Sequence, residues 1–115
     1  MSRTKEQLEA GIAAYLEFCR RERTAARASE LAGFLRIGYR NLRRLFKRVF
    51  GVSVNATIRR RQLDSAARLL RETDLPIDEI VPRVGFGDRR TFFRAIRREF
   101  GCSPAALRKD GQNLP

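Results

Sequence analysis

The sequence predicts an all-α fold of about seven helices, forming two helix-turn-helix lobes joined by a long central helix. Three observations predict it. Apolar residues recur at helical spacing along nearly the whole chain, with glycine and proline at plausible boundaries. The chain also repeats itself. Leu42-x-x-Leu45-Phe46-x-x-x-Phe50-Gly51-x-Ser53 aligns with Phe92-x-x-Ala95-Ile96-x-x-x-Phe100-Gly101-x-Ser103 at an offset of fifty residues. The preceding segments match too, Leu31-Ala32-x-x-Leu35 against Ile80-Val81-x-x-Val84, at an offset of forty-nine, so the second turn holds one extra residue. Finally, each copy reads as a short helix, a tight turn and a longer helix with a basic outer face.

The first helix is expected from about Lys5 to Arg23, with Leu8, Ile12, Tyr15, Leu16 and Cys19 on one face. The second runs from Ala28 to about Arg36 and buries Leu31, Ala32 and Leu35. The third begins near Tyr39 and stops at Gly51, a natural C-terminal residue for a helix; Leu42, Leu45, Phe46, Val49 and Phe50 make its apolar stripe. Ser53 caps a long fourth helix reaching Glu72, with Leu63, Ala66, Ala67 and Leu70 facing inward. Asp74-Leu75-Pro76 breaks the chain before a short fifth helix from Ile77 to Val84, where Asp78 and Glu79 suit the positive end of the helix dipole. Gly85-Phe86-Gly87 turns into the sixth helix, Asp88 to Phe100. Ser103-Pro104, a cap followed by a first-turn proline, starts a last helix to about Lys109. The expected division is therefore a first lobe over 5–52, a linker helix over 53–73, a second lobe over 74–110 and a loose tail over 111–115.

Charge says most about function. The 115 residues carry 25 Lys and Arg against 13 Asp and Glu, a net charge of +12. Such a surface attracts polyanions, because each neutralised phosphate releases condensed counterions. Between Leu31 and Leu63 there is no acidic residue, while Arg36, Arg40, Arg43, Arg44, Lys47, Arg48, Arg59, Arg60 and Arg61 add nine positive charges. An ordinary solvated face mixes signs. Eight Phe and no Trp suit a helical core better than a stacking platform for single strands.

Other classes find little support. The chain has no histidine, the commonest general base and zinc ligand, and Gly85-x-Gly87 lacks the third glycine and the strand of a phosphate loop. No catalytic residue, metal site or cofactor is expected, and Ser53 and Ser103 read as caps rather than nucleophiles. Cys19 and Cys102 lack ligand-like spacing and suit a reduced pair in a cytoplasmic protein. No apolar run has the length of a membrane span or a signal peptide.

The stretch Ala67-x-x-Leu70-x-x-Thr73-Asp74-Leu75-Pro76-Ile77-x-x-Ile80, followed by Gly85-Phe86-x-Asp88-x-x-x-Phe92-x-Arg94-Ala95-x-Arg97-x-x-Phe100-Gly101-x-Ser103-Pro104, resembles the AraC/XylS family DNA-binding domain. The resemblance runs from about Leu8 to Lys109 and is most specific in the C-terminal half. It implies a bacterial transcriptional regulator that reads successive major-groove segments of double-stranded DNA. The chain departs from the family pattern in places. Arg36 stands where the family usually turns on Gly, Gly38 where Ser often caps, Gly87 where Ser usually precedes Asp88, and Pro82 falls inside the fifth helix.

By that alignment Arg40, Arg43 and Arg44 take the base-reading positions of the first unit, and Arg89, Arg90 and Arg94 those of the second. Arginine there suits guanine, whose O6 and N7 match its planar fork. Asn41, Lys47, Arg59, Arg60, Arg61, Thr91, Arg97 and Arg98 are the phosphate candidates, although Asn41 and Thr91 suit helix capping equally. Three consecutive arginines step by about 100° each, so Arg59, Arg60 and Arg61 cannot all face one groove. Phe93, aligned with Arg43, suits either a thymine methyl or packing against a neighbouring helix.

A central helix of roughly 20 residues spans about 30 Å, close to the 34 Å turn of B-DNA. A monomer then reads an asymmetric site, with RNA polymerase as a further partner. Two alternatives stay open: an architectural or accessory DNA binder of weak sequence preference, and a module contacting polymerase or another regulator. The chain suits either a stand-alone short regulator or the terminal piece of a longer one, and Met1 followed by a whole first helix favours the former.

Overall fold

A computed structural model describes residues 5–112. Among these residues there are seven α-helices and no strand: α1 Lys5–Glu22, α2 Ala28–Phe34, α3 Tyr39–Phe50, α4 Val54–Glu72, α5 Ile77–Arg83, α6 Arg89–Phe100 and α7 Pro104–Gln112. The molecule is elongated, 48 × 27 × 22 Å.

Two hydrophobic clusters explain the length. In the first, Leu8, Ile12, Tyr15 and Cys19 of α1 close over Leu31 and Ala32 of α2 and Leu42 and Phe46 of α3. Val54 and Ile58 complete it from α4. The second gathers Leu63, Ala66, Ala67 and Leu70 of α4 with Ile80 and Val81 of α5, Phe92 and Ile96 of α6 and Leu107 of α7. One helix therefore serves both cores, changing allegiance between Ile58 and Leu63. The repeat forces this, since each helix-turn-helix unit has an apolar side and needs a third wall to bury it.

Boundary chemistry follows the sequence closely. Ser53 Oγ accepts from the Ala56 N–H at 3.1 Å, and Ser103 Oγ accepts from the Ala106 N–H at 3.1 Å. Both serines are caps. Asp88 is itself the cap of α6, accepting the Thr91 N–H at 2.7 Å, so the helix proper starts at Arg89. Gly51 and Gly101 end α3 and α6 in the left-handed region, with φ of 75° and 74°. Gly38 gives α3 no side-chain cap, which costs roughly a few tenths of a kcal/mol relative to serine.

Several boundaries differ from expectation. α1 ends at Glu22 because Arg23 turns into positive φ (54°). α2 stops at Phe34 because Leu35 and Arg36 make the turn, with Arg36 at φ 57°. An arginine thus holds the left-handed position that glycine fills in the second unit. α7 continues past Lys109 through Gly111 to Gln112, so the loose tail expected from 111 begins inside a helix; its remainder, 113–115, lies outside the described residues. Gly111 is there for contact: a Cβ would stand 2.6 Å from Arg71 Cγ. Gly11, inside α1, likewise makes room for Leu35.

Gln62 joins the lobes. Its side chain, 3% exposed, is the buried polar group of the described residues. Its Nε2 donates to Gly85 O at 2.9 Å, and the same carbonyl accepts the Ala26 N–H at 3.1 Å. The turn of the second unit is thereby bonded to the central helix and to the α1–α2 connection of the first lobe. On the far side, Arg108 clamps α7 to the α4 end, donating to Leu70 O at 3.1 Å and Leu75 O at 2.5 Å.

Candidate nucleic-acid interface

In α3 the core takes Leu42 and Phe46, which turns Arg40, Asn41, Arg43, Arg44 and Lys47 outward into solvent. Arg43 lies over the Tyr39 ring, 5.8 Å from its centroid. Arg40, Arg43, Arg44 and Lys47 line a groove whose other wall is Ser53, Val54 and Asn55 at the start of α4. Four cations and no carboxylate face a capped helix N-terminus, an arrangement suited to phosphate oxygens. Asn55 went unnoticed in the sequence; its signal was its place in the first turn behind the Ser53 cap.

The second unit is arranged differently. Arg90, Arg94, Arg97 and Arg98 are exposed on α6 and make no ion pair within the described residues. Arg89 does not join them. Its guanidinium is 3.0 Å from Asp78 of α5 and lies over the Phe93 ring at 4.8 Å. Phe93 is half-buried and meets Phe92 edge-on at 6.1 Å, as packing against the core requires. Thr91 also has a local task, its hydroxyl donating to Asp88 at 2.9 Å. The bonds from Thr91 hold the Asp88 carboxyl below the usual aspartate range.

The three consecutive arginines diverge. Arg59 lies over the Phe86 ring, its Cζ 4.5 Å from the centroid. It shares a notch with Thr91, Arg94 and Arg98 of α6, so a central-helix cation joins the second unit's basic face. Partial desolvation there lowers its pKa, but an arginine stays charged. Arg60 is engaged, paired with Glu99 of α6 and with Asp64 at 3.4 Å. Arg61 faces away, into a cleft against α1 and α5. Phe86 is a residue whose role the sequence left unmarked, since an aromatic in a turn reads first as core.

Each unit thus presents an exposed cationic helix on the outside of its own core, at opposite ends of α4. A family model described as a helix-turn-helix domain matches residues 31–110, spanning both units. The chain belongs to the AraC-type helix-turn-helix family. It is 35% identical over 71 residues to the probable transcription factor PqrA of Proteus vulgaris, covering 62% of this chain and 58% of PqrA. It is 38% identical over 72 residues to the transcriptional regulator Rob of Salmonella typhimurium, covering 63% of this chain and 25% of Rob. The match therefore spans little more than half of one relative and a quarter of the other. Among solved structures, the DNA-binding domain of the global transcriptional factor AdpA, in complex with a target DNA, superposes with a TM-score of 0.77. It is 27% identical, with 90% of each chain covered. The C-terminal domain of the response regulator yesN from Fusobacterium nucleatum shares the fold, with a TM-score of 0.74 at 24% identity over 88% of this chain and 97% of that one. The AraC-type resemblance and the seven-helix architecture expected from the sequence both hold.

Proposed function

We propose that this AraC-type chain is a sequence-specific double-stranded DNA-binding regulator of bacterial transcription, inserting α3 and α6 into adjacent major grooves. The observation that carries the reading is the pairing of two arginine-bearing, solvent-facing helices on cores that share one rigid helix. α4 has 19 residues, roughly 28 Å of rise. That is somewhat less than one turn of B-DNA, so a modest bend in the duplex completes the fit.

Within this reading Arg40, Arg43 and Arg44 contact base edges in one groove and Arg90 and Arg94 in the next. Asn41, Lys47, Arg59, Arg97 and Arg98 hold phosphates, with the N-terminus of α4 beside them. Arg89 is a supporting residue, keeping α5 and α6 at a fixed angle through Asp78. The protein acts as a monomer in the cytoplasm, without chemistry of its own, and contact with RNA polymerase follows DNA binding. The names of PqrA and Rob and the DNA seated on AdpA support this assignment.

Selection of bound duplexes from a random pool, followed by footprinting of the winner, tests it. The expected result is two protected segments one helical turn apart and a preference of at least about 1000-fold over random DNA. A flat preference with a steep salt slope would instead mark an architectural binder.

A further inference from the structure

The basic surface is not confined to α3 and α6. A cleft of about 420 Å³ lies between α1, α4 and α5. Its apolar lining is Ala13 and Leu16 of α1, Leu69 of α4 and Val84 behind α5, with Gln62 and Ser65 as polar wall and the Glu17 carboxylate also reaching the cleft. Around that lining stand Arg61, Arg68 and Arg83. Arg20 is also at the edge but is already paired with Glu17. Arg61, Arg68 and Arg83 make no hydrogen bond or ion pair with a described residue. Asp78 and Glu79 stand with Arg83 on the neighbouring recess, and Asp78 is committed to Arg89.

These arginines are poorly placed for the duplex just proposed. On a helix advancing about 100° per residue, Arg61 and Arg68 lie roughly 160–180° around α4 from Arg59, which faces α6. A surface that merely keeps the protein soluble does not require three unpaired guanidinium groups around an aliphatic lining. Guanidinium forks are matched to carboxylates, and the attraction strengthens beside apolar walls that exclude water. The lining excludes a purely hydrophilic ion as the best occupant. The volume lies within the range of small-molecule sites, and Arg61 to Leu69 measures about 12 Å along α4. That length fits two fused rings or a medium alkyl chain.

We propose that this cleft binds an amphipathic organic anion, an apolar body carrying a carboxylate, with Arg61, Arg68 and Arg83 as its charge partners. The walls come from both lobes, α1 from the first and α5 from the second, so the occupant sits where the angle between the two units is set. The proposal does not depend on the DNA reading, and its test uses no DNA.

The probe is 1-naphthoate, titrated into the full chain while methyl NMR signals are followed. A saturable one-to-one response is expected, confined to Ala13, Leu16, Leu69 and Val84. Acetate, with the charge alone, and naphthalene-methanol, with the rings alone, should fail to saturate over the same range. The Arg61→Ala/Arg83→Ala double variant should weaken binding at least about tenfold, as loss of charge-assisted contacts implies. Lys109→Ala, an exposed cation elsewhere, should leave binding unchanged. Ala13→Glu keeps every arginine yet adds to the lining a carboxylate that, unlike Glu17, has no arginine already paired with it, and should abolish binding in a protein with an unchanged melt. Shifts scattered over the charged surface, an equal loss in Lys109→Ala, or saturation by acetate overturn the proposal. So does an acidic amphipathic peptide that shifts these methyls when 1-naphthoate does not, since the cleft then belongs to a protein segment.

Discussion

Replacing Gly85 by alanine tests how the two lobes are held together. Gly85 has φ 90°, a conformation that costs an L-residue about 1–2 kcal/mol. The added Cβ would stand 2.9 Å from Gln62 Nε2, in a place where Gln62 is buried and already donates to Gly85 O. The amide must move, and losing that buried bond adds roughly 1–3 kcal/mol. Gly101→Ala is the internal control. Gly101 has φ 74° with nothing within 4 Å of a new Cβ, so it carries the backbone term alone. Gly85→Ala should therefore cost about 2–5 kcal/mol and Gly101→Ala about 1–2 kcal/mol. At about 4 °C per kcal/mol for a chain of this size, thermal melts by circular dichroism separate them. Gln62→Ala should cost less in the Gly85→Ala background than alone, because the contact is already broken there. Equal losses for the two glycines, with strictly additive Gln62→Ala, would refute the claim that this contact ties turn to helix.

Four further outcomes follow from the interface. Arg44→Ala and Arg94→Ala should each cost about 1–3 kcal/mol on the selected duplex and relax preference locally, whereas Arg59→Ala should weaken all duplexes alike; competition binding measures both. Arg89→Ala should disturb sequence preference much less than Arg90→Ala, because Arg89 is held by Asp78 and Phe93; the same competition assay decides. Arg36→Gly should raise the melting temperature, since glycine relieves the φ of 57° without removing a contact. Asp88 has a folded pKa below its unfolded value, so its contribution is present above the unfolded value, near pH 4, and lost as pH falls through the lower folded value. Amide exchange at the start of α6 should therefore accelerate only in that acidic window, and an Asp88 carboxyl titrating at or above the free value would contradict it.

The fold was readable because its signals are local. The stripe of Leu42, Phe46 and Phe50, the caps Ser53 and Ser103, and the stops Gly51 and Gly101 act through neighbours three or four residues away, whereas Asp88, expected as the first helical residue, is a cap. The repeat then supplied the pairing of helices that no single segment contains. What escaped depends on distant partners. Nothing near Arg89 in the sequence announces that Asp78, eleven residues back, will take its guanidinium. Arg59, Arg60 and Arg61 look equivalent as text, yet a ring, two carboxylates and a cleft receive them in turn. α7 outran its expected end at Gly111, ordinarily a stop, which packs so closely on Arg71 that a Cβ there would stand 2.6 Å from Arg71 Cγ.

The same long-range contacts make the two copies of the repeat physically unequal. α6 starts on a charged cap, follows a glycine turn bonded to Gln62 and Ala26, and is tied to α5 by the Arg89–Asp78 pair. α3 starts on an uncapped glycine and follows a turn strained at Arg36. A helix whose position is settled before binding loses less freedom on contact than one that must be ordered. The second unit therefore brings the steadier surface, with Arg89 already paired, and the first brings Arg40, Arg43 and Arg44 exposed on a less constrained helix. Under the proposed reading the second unit would set the register of a complex with DNA, and the first would contribute contacts that gain most when α3 is stabilised. Gly38→Ser, which restores a cap to α3 without touching an arginine, should accordingly tighten binding to the selected duplex by the fraction of α3 that is frayed when free. Footprints of the first half-site should gain protection while those of the second stay unchanged. An equal gain at both half-sites would show that the cap acts on the whole fold, and the assigned inequality of the units would fail.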